Sequence, residues 1–331
     1  KAAEQNISDW VFVDSESCCG CDNETEFCGY DNLDDNICIL RYREVKLKKK
    51  TLYQLVFSKT PFYAESGGQV GDTGYIESKS EKIKITNAIK ENDLIVHIAD
   101  KLPENVEANF IAHVDVDRRK AITANHTATH LLHYALRQTL GDRVEQKGSF
   151  VGPEYLRFDF SHYQKVTDEE LLKVEELVNK LIRDDVKREE HRNVPIEKAV
   201  SEGAMALFGE KYGDAVRTIR FGNSIELCGG THVDATGNIG VFKILSESVI
   251  AAGVRRIEAV TGARALLYIS EQCKQVQEIK QMLKAKDSVK GVCHLVEQNK
   301  ALKKEIEELN KEKASNIKRN LENKIENING I

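Results

Sequence analysis

Two pairs of residues carry metal chemistry in their types and spacing. His126-Thr127-Ala128-Thr129-His130 places imidazoles at i and i+4, which on a helix brings both rings to one face, within reach of a single ion. Thr127 stands where a metalloprotease would carry its general-base Glu, so peptide hydrolysis by that route is disfavoured. The second pair lies in Cys228-Gly229-Gly230-Thr231-His232, a thiolate and an imidazole in a glycine turn. Its glycines permit φ > 0 and close backbone approach, so both side chains can turn toward one point. Joined, the two pairs fit a tetrahedral zinc site of His126, His130, Cys228 and His232. A closed four-ligand site is normally structural, because a catalytic zinc keeps an open position. Two arrangements stay open: a weak fourth ligand that yields to water or substrate, or a zinc that anchors the substrate while another group orients the water.

Such a site needs elements that bring two distant stretches together. Residues 121–140 contain no Pro or Gly, and apolar positions 128, 131, 132, 135 and 136 predict a helix stopped by Gly141. Two strand-like runs, 148–151 and 155–160, follow around Gly152-Pro153. Thr167-Asp168-Glu169-Glu170 reads as a capping box opening a helix to about residue 188, with Leu171, Val174, Val178, Leu181, Ile182 and Val186 as its apolar stripe. After Pro195 a short helix is expected over 197–207, then more strands. Upstream, β-rich runs at 52–57, 82–86 and 94–98 alternate with glycine turns, which suggests a small barrel or sandwich. Beyond residue 263, helices over 263–286 and 292–328 flank a weak point at Lys286-Asp287-Ser288 and Gly291. Leu295, Leu302, Ile306 and Leu309 make a short heptad-like seam there. The fold class is therefore α+β: an N-terminal segment 1–44, a β-barrel module 45–117, an α+β domain 118–262 and a helical arm 263–331.

With 331 residues, 41% hydrophobic and 31% charged, the chain has room for two domains and an extra helical piece. Its apolar runs fall far short of the ~20 residues a membrane helix needs. No secretory signal follows Lys1, which points to a soluble cytoplasmic protein, and the missing initiator Met suggests a fragment. The net charge of −5 argues against a uniformly basic RNA-binding coat. Charge is nevertheless uneven: residues 1–44 carry 3 basic and 11 acidic side chains, and residues 264–331 carry 14 and 10. Local clusters at Lys46–Lys50, Arg118-Arg119-Lys120 and Arg255-Arg256 could hold RNA or simply be solvated. Of eight cysteines, five crowd the acidic stretch around Cys18 to Cys38. Cys18 and Cys21 form a C-x-x-C without a matching second pair, so reduced thiols are favoured over a small zinc knuckle.

The stretch 126–130, together with Gln146-Lys147-Gly148-Ser149, 156–162, 203–213, 227–232 and Gly253-Val254-Arg255-Arg256-Ile257-Glu258, resembles the editing domain of the alanyl-tRNA synthetase family. The upstream run from Phe62 to Asp72, with its Ser66-Gly67-Gly68-Gln69, is similar to the barrel that precedes editing in that family. The likeness is continuous over about residues 40–262, and the tail resembles the start of the family's C-terminal arm; the acidic Cys-rich segment 15–38 matches none of its motifs. The resemblance implies the editing fold shared by threonyl- and alanyl-tRNA synthetases, one zinc held by His126, His130, Cys228 and His232, and the acceptor end of tRNA(Ala) as partner. It implies hydrolysis of the ester joining Ser or Gly to that tRNA, a reaction needed because a pocket built for alanine rejects near-isosteres by only roughly 10²-fold.

Within the resemblance, Gln146 is a pocket residue affecting substrate choice, and it or Thr129 can pair with the serine hydroxyl; Cys228 is a residue whose loss should lower the rate. On the residues alone, the alternatives are that Thr129 only back-bonds its own helix and Gln146 only caps the preceding turn. Gly67-Gly68-Gln69 has the look of the loop release factors use on peptidyl-tRNA, with a plain β-turn as the alternative. Arg255 and Arg256 are expected to divide between an RNA phosphate and a structural carboxylate, with Arg255 as the candidate tRNA contact. ATP and Mg²⁺ would belong to the aminoacylation half, which this stretch does not include, and the arm is the candidate place for homo-oligomer contacts. Two rivals remain: a free-standing trans-editing deacylase of the same superfamily, and a tRNA-binding module with a structural zinc.

Overall fold

Alternating β-branched and aromatic residues build the first half of the molecule. A computed structural model describes residues 6–13, 25–48, 50–92, 94–205 and 213–322; Cys18, Cys19, Cys21 and part of the 203–213 motif lie outside them. Eleven strands come first: β1 (Asn6–Ile7), β2 (Val11–Phe12), β3 (Glu26–Phe27), β4 (Asp34–Ile37), β5 (Ile39–Leu47), β6 (Lys50–Phe57), β7 (Lys59–Thr60), β8 (Gly74–Glu77), β9 (Lys82–Glu91), β10 (Leu94–Ala99) and β11 (Phe110–Val114). The main sheet runs β1-β5-β6-β10-β9-β8-β11-β4, with β2 also on β5 and every pairing antiparallel. Its ladder is open as hydrogen-bonded, yet β4 and β5 are separated by Cys38 alone. The barrel expected here is not closed by hydrogen bonds among the described residues; the chain runs through Cys38 from β4, paired with β11, to β5, paired with β6. Inside it Ile37, Leu55, Phe57, Phe62, Ile76 and Phe110 are buried together.

Helix α1 (Val116–Leu140) begins earlier than its apolar pattern shows, because the Asp115 side chain caps it by accepting from the Arg118 N–H. Gly141 ends it as expected, its N–H returning to the Arg137 carbonyl. Strands β12 (Gln146–Val151), β13 (Leu156–Ser161), β17 (Phe242–Ala251) and β18 (Val254–Thr261) form a sheet in the order β12-β13-β18-β17. α1 and α2 (Asp168–Arg183) pack together against this sheet, Ala128, Leu131, Leu132 and Leu136 meeting Phe158 and Phe160. The Thr167 capping box forms, and α2 buries Val174, Val178 and Ile182 but stops at Arg183, where Asp185 takes φ 46°. A second sheet, β14 (Glu189–Pro195), β15 (Ala215–Phe221) and β16 (Ser224–Leu227), carries the short helix α3 (Ile196–Ser201) and leads into the Cys228 turn. α3 ends sooner than expected, at Glu202 and at Gly203 with φ 89°.

Residues 267–331 form a unit of their own, apart from 1–266. It holds most of α4 (Gly262–Leu283) and all of α5 (Ser288–Glu322), broken where Lys284 takes φ 48°. Along α5, Leu295, Leu302, Ile306 and Leu309 are all exposed. No described helix is long and apolar enough to cross a membrane.

Candidate metal centre

The middle of α1 is polar but buried. His126, Thr127, Thr129 and His130 are each at least nine-tenths covered, and the two ring centroids lie 5.3 Å apart. Such residues weaken a helix interior unless their polar atoms find partners. The hydroxyls donate up the same helix, Thr127 to the Thr123 carbonyl (3.0 Å) and Thr129 to that of Asn125 (2.8 Å).

The second pair of ligands sits on the turn after β16. The Cys228 N–H donates to the Arg217 carbonyl (3.0 Å) and the Gly230 N–H to Cys228 Sγ (3.3 Å). Gly229 and Gly230 do not use φ > 0, contrary to the expectation for this turn. Gly230 is required for close approach instead: a Cβ there would sit 1.9 Å from His126 Cε1. Side chains from elsewhere hold the turn. Arg217 donates to the Cys228 (3.0 Å) and Gly230 (2.6 Å) carbonyls, and the hydroxyl of Tyr30, which follows β3, donates to that of Gly229 (2.5 Å). The Arg217 guanidinium lies 3.9 Å over the Tyr30 ring.

One ligand atom from each of His126, His130, Cys228 and His232 lies within 4.8 Å of the other three. Hydrogen bonding decides which imidazole nitrogen His126 and His232 can offer. His126 Nδ1 faces Gln69 Oε1 (2.6 Å), and the same oxygen accepts from the Thr231 N–H (3.0 Å), so Nδ1 carries the proton and Nε2 is left bare. His232 Nδ1 donates to Thr127 Oγ1 (3.1 Å), again leaving Nε2. His130 Nε2 lies 3.3 Å from Glu226 Oε2 as an ion-pair contact, and its buried Nδ1 has no hydrogen-bond partner. Cys228 Sγ lies 3.4 Å from His126 Nε2 and 3.2 Å from His232 Nε2. His126 and His232 thus each have Nδ1 tied to an outer partner and Nε2 close to Cys228 Sγ, the arrangement that suits metal-bound histidines. Burial, followed by the neighbouring imidazoles, holds His126 and His232 well below the usual histidine pKa; burial also lowers His130, although Glu226 opposes it. All three are neutral near pH 7, the ligating form. The donor set fits zinc.

A cavity of about 410 Å³ opens over this cluster. Thr129, Gln146, Gly67 and Ser149 line it beside His126, His130 and Cys228. Gly67 and Gly68 have φ of 57° and 83° in a tight turn between Ser66 and Gln69, and the Gly68 carbonyl accepts from the Val151 N–H (2.8 Å). Gln69 is fully buried behind that turn rather than facing the cavity. Arg255 and Arg256 do not line the cavity: Arg255 pairs with Glu247 and Arg256 with Asp159 (2.7 and 2.8 Å). Sequence reasoning missed Tyr30, Arg217, Glu226 and His133. His133, whose Nδ1 donates to Glu226 (3.0 Å), stands at i+3 from His130 and could have been found by spacing; nothing local marked Tyr30.

Comparison with known proteins shows the family of the chain. Residues 216–258 match the family model "Threonyl and Alanyl tRNA synthetase second additional domain", and residues 1–120 match "tRNA synthetases class II (A)". These matches and the fold define part of a class II aminoacyl-tRNA synthetase with an editing-type domain. The whole chain aligns with the alanine–tRNA ligases of Bacteroides fragilis (54% identical), Bacteroides thetaiotaomicron (52%) and Cytophaga hutchinsonii (50%), spanning 37% of each relative's length. The chain belongs to the alanyl-tRNA synthetase family and corresponds to a part of such an enzyme.

Proposed function

We propose that this stretch is the editing portion of an alanyl-tRNA synthetase, hydrolysing the ester of Ser-tRNA(Ala) and Gly-tRNA(Ala) with one zinc per chain. The observation that carries the reading is the inward convergence of three imidazoles and a thiolate at a cavity lined by Thr129 and Gln146. Bound there, zinc would supply a Lewis acid or an anchor for a substrate heteroatom. The chain's own residues do the selecting: the half-buried Gln146 at the start of β12 and Thr129 on α1 offer polar atoms that alanine, lacking a hydroxyl, would leave unpaired. Gly67, in the cavity wall, lets the aminoacylated end approach backbone without a side chain intervening. Residues 45–117, 118–262 and 263–331 serve in this reading as barrel module, editing domain and arm, in a cytoplasmic protein, with ATP and Mg²⁺ used by the ligase half and the arm available for self-association. Arg255 could meet tRNA phosphate only by sharing or exchanging its Glu247 partner.

The test is serine release from Ser-tRNA(Ala). The wild-type chain should release serine above the uncatalysed rate, and Cys228→Ala should lose bound zinc by more than about 100-fold, beyond what removal of an outer-shell partner costs. A chain that binds tRNA with a steep salt dependence but releases no serine would instead be an RNA-binding module. That second reading draws on the same donor set, since four protein ligands can close a structural tetrahedron.

A further inference from the structure

Gln69 is the residue whose surroundings differ most from a role at the tRNA-facing surface. It is 0% exposed and lies on the turn that joins the first module to β12. Its side-chain oxygen accepts from the His126 Nδ1–H (2.6 Å) and the Thr231 N–H (3.0 Å), and its amide Nε2 donates to Thr231 Oγ1 (3.0 Å). It therefore touches both halves of the donor set: a ligand on α1, and the residue between Gly230 and the ligand His232. Backbone bonds on either side hold it there, Val151 N–H to the Gly68 carbonyl (2.8 Å) and Val70 N–H to the Val151 carbonyl (3.1 Å). Gly230 makes room for it, since a Cβ at that position would stand 3.0 Å from the Gln69 oxygen and closer still to the His126 ring.

We propose that Gln69 is a positioning residue of the metal centre: by accepting the His126 Nδ1 proton it presents Nε2 to the ion, and so makes metal affinity depend on the first module being seated against α1. The proposal rests on the reading of the four residues as a zinc site. The chemistry is general: a ligating imidazole whose other nitrogen has a fixed acceptor is held in one tautomer and one orientation, and losing that acceptor lowers affinity by about 10- to 100-fold. With an apolar residue at position 69, His126 would keep its place on the helix but lose the partner that selects its tautomer.

The experiment is zinc competition against a chromophoric chelator, using the whole chain as wild type, Gln69→Leu and Gln69→Glu. Gln69→Leu should bind zinc about 10- to 100-fold more weakly. Gln69→Glu, which retains an acceptor for His126, should recover most of the loss, whereas a merely structural role predicts no such rescue. Equal affinity of Gln69→Leu and wild type, or equal loss in both variants, would overturn the proposal. Nitrogen-15 spectra of the zinc-loaded wild type give a check independent of any variant's folding: the His126 proton should sit on Nδ1, and a proton on Nε2 would overturn it. A wild-type chain that takes up no zinc would overturn the metal reading itself, an outcome separate from the two variant results.

Discussion

Helix α1 and the turn after β16 each bring two of the four candidate ligands to the centre, and they do so by opposite means. On α1 the spacing does the work. His126 and His130 share a face because of the helical repeat, and their orientation follows once the helix packs on its sheet. The turn has no such regularity. Cys228 and His232 are held by Arg217, by Tyr30 from the N-terminal segment, and by the hydrogen bonds that Gln69 and Thr127 make to Thr231 and His232. The helix half is thus set by local structure and the turn half by contacts distant in sequence, so the two should fail differently.

The largest effect expected is on the anchor of α1. Arg119 and Asp72 form a buried pair between helix and first module, and Arg119 also donates to the Gly29 (2.7 Å) and Pro61 (2.9 Å) carbonyls. Asp72→Ala would strand that guanidinium and should lower stability by about 3–5 kcal/mol in chemical denaturation. A loss below 1 kcal/mol would mean that α1 is held in place without the first module. Next in size, Gly230→Ala should disrupt zinc uptake while leaving the circular dichroism of the helices unchanged, because the added methyl collides with the His126 ring. Retained zinc affinity would show that the turn can yield, against the close fit described here. Tyr30→Phe removes one hydrogen bond to the turn and should cost about 1 kcal/mol, appearing as a few-fold weaker zinc competition with α1 unaffected.

A further effect concerns pH. Burial pushes the Glu190 carboxyl up, but the Arg217 and Arg192 guanidiniums outweigh it and hold the group at about 2. Its folded value is depressed, so its contribution to stability is present above the unfolded pKa near 4.5 and is lost as pH falls through about 2. Melting curves between pH 5 and 2 should therefore drop less for Glu190→Gln than for the wild type. Equal slopes would remove Glu190 from the support of Arg217.

Much of this could be read in advance where information is local. The Thr167 capping box, the Gly141 stop and the stripe of α2 are periodic or short-range patterns that the structure bears out, and the side chains of the two candidate ligand pairs lie close together. Element ends were harder. α1 gained a turn through Asp115, and α3 ended early, because caps and glycine conformations act on single residues and not on periodicity. The glycines of the Cys228 turn were legible as necessary but for half of the right reason, since Gly230 serves close approach rather than φ > 0. The seam on α5 was read from heptads, yet those residues are exposed, and a pattern of spacing does not name its partner.

By itself the sequence determined which residues could ligate a metal, because ligand chemistry and helical spacing are properties of a few neighbouring residues. It also carried the family, through motifs that need no coordinates. Only the tertiary structure decided that the two pairs meet and that Gln69 and Tyr30 reach in from another part of the chain. Those outcomes depend on which side chains packing places within about 3 Å of each other, and hydrogen bonds at that range carry no signature along the chain.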